Sequence, residues 1–107
     1  IGVVLLDQGV IAGIGNILRN EILFRAGIHP ERYVKDLTPR DIERIVKIAE
    51  ELSREFLRRK LRSERIRPIL FVYNKFGKKC KVCGSPIRYY RQEPNRRRTF
   101  VCEKCQK

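Results

Sequence analysis

Apolar positions recur at helical spacing in two stretches, and a short apolar run and two strand-like segments follow them. In the first, Ile17, Leu18, Ile22, Leu23 and Ala26 predict a helix over 17–26, with Asn16 as its N-cap. Gly27 is placed to end it in a left-handed cap, and Pro30 blocks its resumption. In the second, Ile42, Ile45, Val46, Ala49, Leu52 and Phe56 share one helical face, with Arg44, Lys47, Glu51, Arg54 and Arg58 opposite. Thr38 is a good N-cap there, Pro39 suits the first helical position, and Asp41 favours the positive end of the helix. This helix is expected to run to about Lys60 or slightly beyond, with Pro68 ending any continuation. Upstream, 3–8 reads as the end of a buried helix and 9–15 as a glycine-containing loop. Downstream, 69–73 is a short β-prone run, and 87–91 and 98–102 predict a hairpin turning at Glu93, Pro94 and Asn95. The fold class is therefore mostly α with a small β part, divided into a helical domain at 1–68 and a finger at 69–107.

Charge changes this picture. The 107 residues carry 25 Lys and Arg against 12 Asp and Glu, a formal net charge of +13. Residues 1–53 hold 7 basic and 8 acidic side chains, whereas 54–107 hold 18 and 4. A near-neutral body beside a concentrated cationic half points to a polyanionic partner, with nucleic acid the first candidate. An anionic membrane surface fits less well, because the basic half lacks an amphipathic helix with apolar aromatics on one face. No apolar run approaches the ~20 residues of a membrane span, and no signal-peptide pattern is present. The chain begins Ile1-Gly2 and has no methionine, so it is expected to be a piece of a longer product.

The cysteines add chemistry. Cys80, Cys83, Cys102 and Cys105 form two C-x2-C pairs with 18 residues between them. Each tight turn aims two sulfurs at one ion, and the hairpin brings the pairs together, which is the pattern of one structural Zn²⁺. Four protein ligands leave such an ion no open position. The rivals are two disulfides or an iron–sulfur cluster; nothing suggests a secreted chain, and an intracellular, reducing setting in cytoplasm or nucleoid is expected. Removing the metal is expected to unfold 80–105 and leave the helices largely intact.

Two further elements suit phosphate. Gly13-Ile14-Gly15-Asn16 leads into a helix whose first amides and positive dipole end favour an anion. Asn16 either caps that helix or turns its amide group towards the phosphate, and a simple turn with a capping Asn is the plainer reading. Arg96, Arg97 and Arg98 open the second predicted strand, where alternation allows at most two on one face. His29 has no thiol or carboxylate partner placed by sequence and reads as structural.

Taken in order, Leu5-Leu-Asp-Gln8, Ile11-Ala-Gly-Ile-Gly-Asn16 and Asn20-Glu-Ile-Leu-Phe-Arg-Ala-Gly-Ile-His-Pro30 resemble the helix–two-turn–helix module of formamidopyrimidine-DNA glycosylases and endonuclease VIII-like enzymes. Val72-Tyr73, Cys80-x2-Cys83-Gly84 and Arg97-Arg-Thr99-Phe-Val-Cys102-x2-Cys105-Gln106 resemble their C-terminal zinc finger. The resemblance covers nearly the whole chain. It implies a role in base-excision repair, in which a damaged base is flipped out, its glycosidic bond cut and the strand cleaved by a lyase step. It also implies that Asn16 and the amides around Gly15 hold phosphates near the lesion, and that Arg97 binds the backbone around the extruded nucleotide. Tyr73 is a further phosphate-contact candidate. The expected partner is damaged double-stranded DNA, gripped mainly through its phosphates by a monomer.

Two departures bound that implication. The family's nucleophile is the amine of an N-terminal proline, followed by a glutamate, on a β-sandwich domain. This chain begins Ile1-Gly2, so the catalytic domain is expected to lie outside it and the chain alone to carry no catalytic residue. Segment 58–70 is short and basic and lacks the Gly-rich stretch and lesion-capping loop of the oxidised-purine branch, so no particular damaged base is implied. The alternative is a non-enzymatic zinc-dependent module for RNA or the ribosome. A topoisomerase-like interaction module is a second, against which the Arg-Arg-Thr-Phe-Val-Cys ending argues.

Overall fold

The computed structural model describes residues 15–94 and 96–107. The expected helix end at 3–8, the loop at 9–14 and Asn95 of the turn lie outside the described residues. Helix α1 spans Gly15–Ala26 and helix α2 spans Pro39–Leu61. A short 3₁₀ turn at Val34–Asp36 precedes α2, and another at Arg67–Ile69 follows it. Strands β1 (Arg88–Gln92) and β2 (Arg97–Val101) form an antiparallel hairpin with Tyr90 opposite Thr99 and Gln92 opposite Arg97. Both strands begin one residue away from their predicted starts.

Helix α1 lies between the other elements, packing on α2 and on β2. Its apolar residues point almost all round, so nearly all of it is buried. It ends as the sequence requires. Gly27 adopts φ +73, the Ile28 amide donates to the Leu23 carbonyl at 3.0 Å, and the Gly27 amide donates to the Phe24 carbonyl at 3.0 Å. This is the Schellman arrangement, which only a residue tolerant of positive φ completes without strain. Lys107 then donates its amide to the Gly27 carbonyl at 3.0 Å, tying the end of the chain to this cap.

Helix α2 starts at a reciprocal cap. The Thr38 hydroxyl accepts from the Asp41 amide at 3.1 Å, and the Asp41 carboxylate accepts from the Thr38 amide at 3.0 Å. A Thr cap of this kind stabilises a helix by about 1 kcal/mol. Ile45, Leu52 and Phe56 are buried against α1, with Ile48 and Ala49 packed beside them. The predicted stripe needs correction at its start: Ile42 and Val46 are 43% and 50% exposed. The buried stripe runs 45, 48, 49, 52, 56, rotated towards Ile48, because only that side meets α1.

Two apolar clusters result. One joins α1 and α2; the other joins Phe24 of α1 to Val72, Ile87, Phe100, Cys80 and Cys102. Tyr73 packs against both. The β-prone run at 69–73 forms no strand. Its amides have a different acceptor. The fully buried Glu21 carboxylate of α1 accepts from Phe71 at 2.8 Å, Val72 at 2.9 Å and Tyr73 at 2.9 Å. One side chain thus takes the place of a neighbouring strand.

Candidate metal centre and nucleic-acid interface

The two cysteine pairs converge. All four Sγ atoms lie within 4.8 Å of one another, with Cys80–Cys105 at 3.8 Å and Cys83–Cys102 at 3.4 Å. All four are free, so neither pair is a disulfide. A Zn–S bond of ~2.3 Å in tetrahedral geometry requires sulfurs about 3.8 Å apart, which this set meets with small adjustments. Each knuckle has a local cause. The Gly84 amide donates to the Cys80 carbonyl at 2.9 Å with Gly84 at φ +78, which closes the first turn. The second is closed by Gln106, whose amide donates to the Cys102 carbonyl at 2.9 Å and whose Oε1 accepts from the Cys102 amide at 3.0 Å.

The thiols differ in acidity. Hydrogen bonds from the Ser85 side chain and backbone draw Cys83 down to about 6, whereas burial pushes Cys102 and Cys105 up. A shared cation is what makes four such neighbours favourable as thiolates together. The residues present therefore fit a divalent, thiophilic ion in a closed site.

The second site lies where the first turn of α1 meets β2. Asn16 is not the N-cap that the sequence suggests, because α1 already begins at Gly15. Its side chain is claimed laterally: Nδ2 donates to the Arg98 carbonyl at 3.0 Å, and Oδ1 accepts from Arg19 Nε at 3.1 Å. Asn20, one turn on, donates to the same Arg98 carbonyl at 3.2 Å and accepts from the Phe100 amide at 2.7 Å. The start of β2 is therefore stitched along α1 rather than resting on it.

Arg19 completes the seam. It is 2% exposed, and besides Asn16 it donates to Gln92 Oε1 at 2.7 Å, Thr99 Oγ1 at 2.9 Å and the Arg98 carbonyl at 3.1 Å. Gln92 is itself oriented by donating to the Pro30 carbonyl at 2.9 Å. No carboxylate forms an ion pair with Arg19 among the described residues. Burial draws its guanidinium down to about 10, so it remains charged at neutral pH.

The candidate residues sit around this seam. Gly15 opens α1 and Asn16 follows it. Arg97 opens β2, exposed and paired with Gln92, with no hydrogen bond or ion pair from its guanidinium among the described residues. Arg98 points to the other face, where it donates to Asn74 Oδ1 at 3.1 Å and lies over the rings of Tyr89 and Phe100. Tyr73 meets Phe100 edge-on and lines a recess of about 300 Å³ with Ile17, Arg67, Asn74 and Lys75. His29 does have a carboxylate partner: Nε2 faces Glu103 at 3.0 Å, while Nδ1 accepts from the Glu31 amide at 3.1 Å. That ties the turn after α1 to the second cysteine knuckle.

Comparison with known proteins agrees with this architecture. The family model described as the formamidopyrimidine-DNA glycosylase H2TH domain matches residues 1–67. The chain is 36% identical over 114 residues to a formamidopyrimidine-DNA glycosylase of Methylococcus capsulatus, covering 96% of this chain and 41% of that protein. The corresponding protein of Geobacter sulfurreducens is 36% identical, over 100% of this chain and 43% of its own length. Among solved structures, Lactococcus lactis Fpg in complex with abasic-site DNA superposes with a TM-score of 0.86 at 29% identity, over 98% of this chain and 42% of that one. A MutM complex with DNA containing carbocyclic 8-oxo-G gives 0.85 at 31% identity, over 98% and 41%. The chain spans about two-fifths of the length of the curated relatives it matches. A family match along more than half its length, and identities above a third along nearly all of it, lead to one conclusion: the chain belongs to the formamidopyrimidine-DNA glycosylase family, through its H2TH domain.

Proposed function

We infer that this chain is the DNA-gripping module of a base-excision-repair DNA glycosylase/AP lyase, acting as a monomer on double-stranded DNA around a damaged or abasic site. Residues 1–68 supply the helix–two-turn–helix surface and 69–107 a finger held by one structural Zn²⁺ on Cys80, Cys83, Cys102 and Cys105. The observation that carries the reading is the seam itself. Asn16 and Arg97 belong to distant parts of the sequence, yet Arg19, Asn20 and the Arg98 carbonyl tie the turn bearing one to the strand bearing the other. Amides of a helix start, a carboxamide and an unpaired guanidinium are the groups that hold phosphates. Gly15 and Tyr73 join them as candidate contacts.

The grip is mainly to the backbone, so its affinity falls steeply with salt, by about 0.9 in log–log slope for each phosphate neutralised. Four free thiols as metal ligands suit an intracellular, DNA-associated setting. No helix among the described residues is long and apolar enough to cross a membrane.

The test is a binding titration of the metal-loaded chain against three probes of equal length: a duplex with a tetrahydrofuran abasic analogue, the undamaged duplex, and a structured RNA. Preference for the abasic duplex supports the reading. Equal affinity for both duplexes, or preference for the RNA, defeats it, the latter in favour of an RNA-binding module.

A further inference from the structure

Burying a charge without an ion-pair partner is costly, and its hydrogen bonds must offset that cost. Arg19 is 2% exposed and forms no ion pair among the described residues, with Glu31 acting on it only through longer-range attraction. All its hydrogen bonds go to neutral acceptors, and two of them reach the proposed phosphate contacts, Asn16 directly and Arg97 through Thr99. Through Nε it holds Asn16 Oδ1 at 3.1 Å. Through Nη2 it holds Thr99 Oγ1 at 2.9 Å, and that hydroxyl spends its single proton on the Arg97 carbonyl at 3.0 Å.

The Asn16 contact settles which end of a symmetric-looking group faces outward. With Oδ1 on Arg19, the amide nitrogen turns to the Arg98 carbonyl at 3.0 Å. Flipping the carboxamide would set N–H against N–H at Arg19 and oxygen against oxygen at Arg98. One amide N–H of Asn16 is used on Arg98, and the second has no partner among the described residues. A phosphate needs a donor there; a free carboxamide would offer its oxygen as readily.

The geometry points to Arg19 as the positioning residue of the phosphate grip: it fixes Asn16 in its donor orientation and, through Thr99, fixes the backbone of Arg97. This rests on the function proposed above and adds to it a residue that touches no nucleic acid. The guanidinium is required as a fork rather than as a charge, since it reaches Asn16, Gln92, Thr99 and the Arg98 carbonyl at once.

The test is a double-mutant cycle on the metal-loaded chain, with Arg19→Lys and Asn16→Ala alone and together, read by affinity for the abasic-analogue duplex. Metal stoichiometry and helicity are measured for each variant. Each single change is expected to weaken binding about tenfold, the scale of one charge-assisted hydrogen bond, and the pair to be within about twofold of the weaker single variant. Full multiplication of the two losses, or parental affinity in Arg19→Lys, overturns the inference. If Arg19→Lys loses metal or helicity, the same cycle is run with Thr99→Val and Arg97→Ala, and additivity there overturns it equally. A second readout needs no DNA: the side-chain amide resonances of Asn16 are expected to shift and exchange faster in Arg19→Lys, and unchanged resonances defeat the positioning role. A parent chain that ignores DNA while the resonances shift would instead defeat the function and leave the geometry standing.

Discussion

The carboxylate of Glu21 accepts the backbone amide of Val72 at 2.9 Å across 51 positions of sequence, and it accepts the amides on either side of Val72 as well. The segment leading into the finger is thereby fixed to α1 by one buried side chain. Three amide donors converge on an acceptor-only group, and no cation shares it through an ion pair among the described residues. Glu21→Gln would turn one of the two oxygens into an N–H₂ facing an N–H. The variant is expected to lose about 2–4 kcal/mol of unfolding free energy, from one or two broken charge-assisted bonds and the donors left unpaired. Denaturant unfolding checks this, and a loss below about 0.5 kcal/mol would mean that water can replace the carboxylate.

How much of this was legible depends on the range of the interaction. Helix α2 was readable because its signals are local: Thr38, Pro39 and Asp41 specify its start within four residues. The end of α1 was readable for the same reason, since only Gly27 suits the positive φ that the cap needs. The cysteine spacing specified the convergence of the four thiols, because two short turns and one hairpin leave the sulfurs few arrangements. What escaped was the polar seam. Arg19, Asn20 and Glu21 look like a solvent-facing run, yet they are 2%, 1% and 0% exposed. A signal was present: apolar residues surround α1 on almost every side, and a helix of that kind is buried with its polar residues inside. Their partners are not readable, because Phe71, Phe100 and Arg98 contribute backbone groups that carry no sequence signature. The same gap explains 69–73, whose β-prone composition says nothing about which acceptor its amides meet.

Metal removal tests the finger. The chain is expected to hold one zinc ion, and chelation to release it with loss of amide protection across 80–105. Helix α2 shares its core with α1 and not with the cysteines, so it should keep its protection. The first turn of α1 should exchange faster, because Asn16 and Asn20 lose the Arg98 carbonyl. Hydrogen exchange read peptide by peptide checks all three. Simultaneous loss of α2 would show one cooperative unit in place of two.

Acidification reports on the α2 cap. The Thr38 amide, followed by the Thr38 hydroxyl, the Arg44 charge and Arg32, holds the Asp41 carboxyl below the usual carboxylate range despite slight desolvation. A group whose folded value is depressed stabilises the fold fully above its unfolded value of about 4 and loses that contribution as pH falls through the folded value. Thermal unfolding should therefore show a falling Tm below about pH 4, part of which disappears in Asp41→Asn. Identical pH profiles for the two proteins would show that Asp41 adds nothing to the acid sensitivity.

Arg97 separates binding from folding. Its guanidinium is exposed at the start of β2 and carries no hydrogen bond among the described residues, so truncation leaves the hairpin packing in place. Arg97→Ala is expected to change Tm by no more than about 2 °C, as surface substitutions away from buried or bonded groups usually do. Under the proposed function the same change should weaken abasic-duplex binding about tenfold and lower the log–log salt slope by about 1, as removing the cation that neutralises a single phosphate does. Arg98→Ala is the internal comparison, because Arg98 lies over Tyr89 and Phe100 and bonds Asn74 on the opposite face. Its loss should lower Tm by more than Arg97→Ala does and leave the salt slope nearly unchanged. If the two variants changed the slope equally while both stayed folded, the grip would be a diffuse cationic surface rather than a built site at the seam.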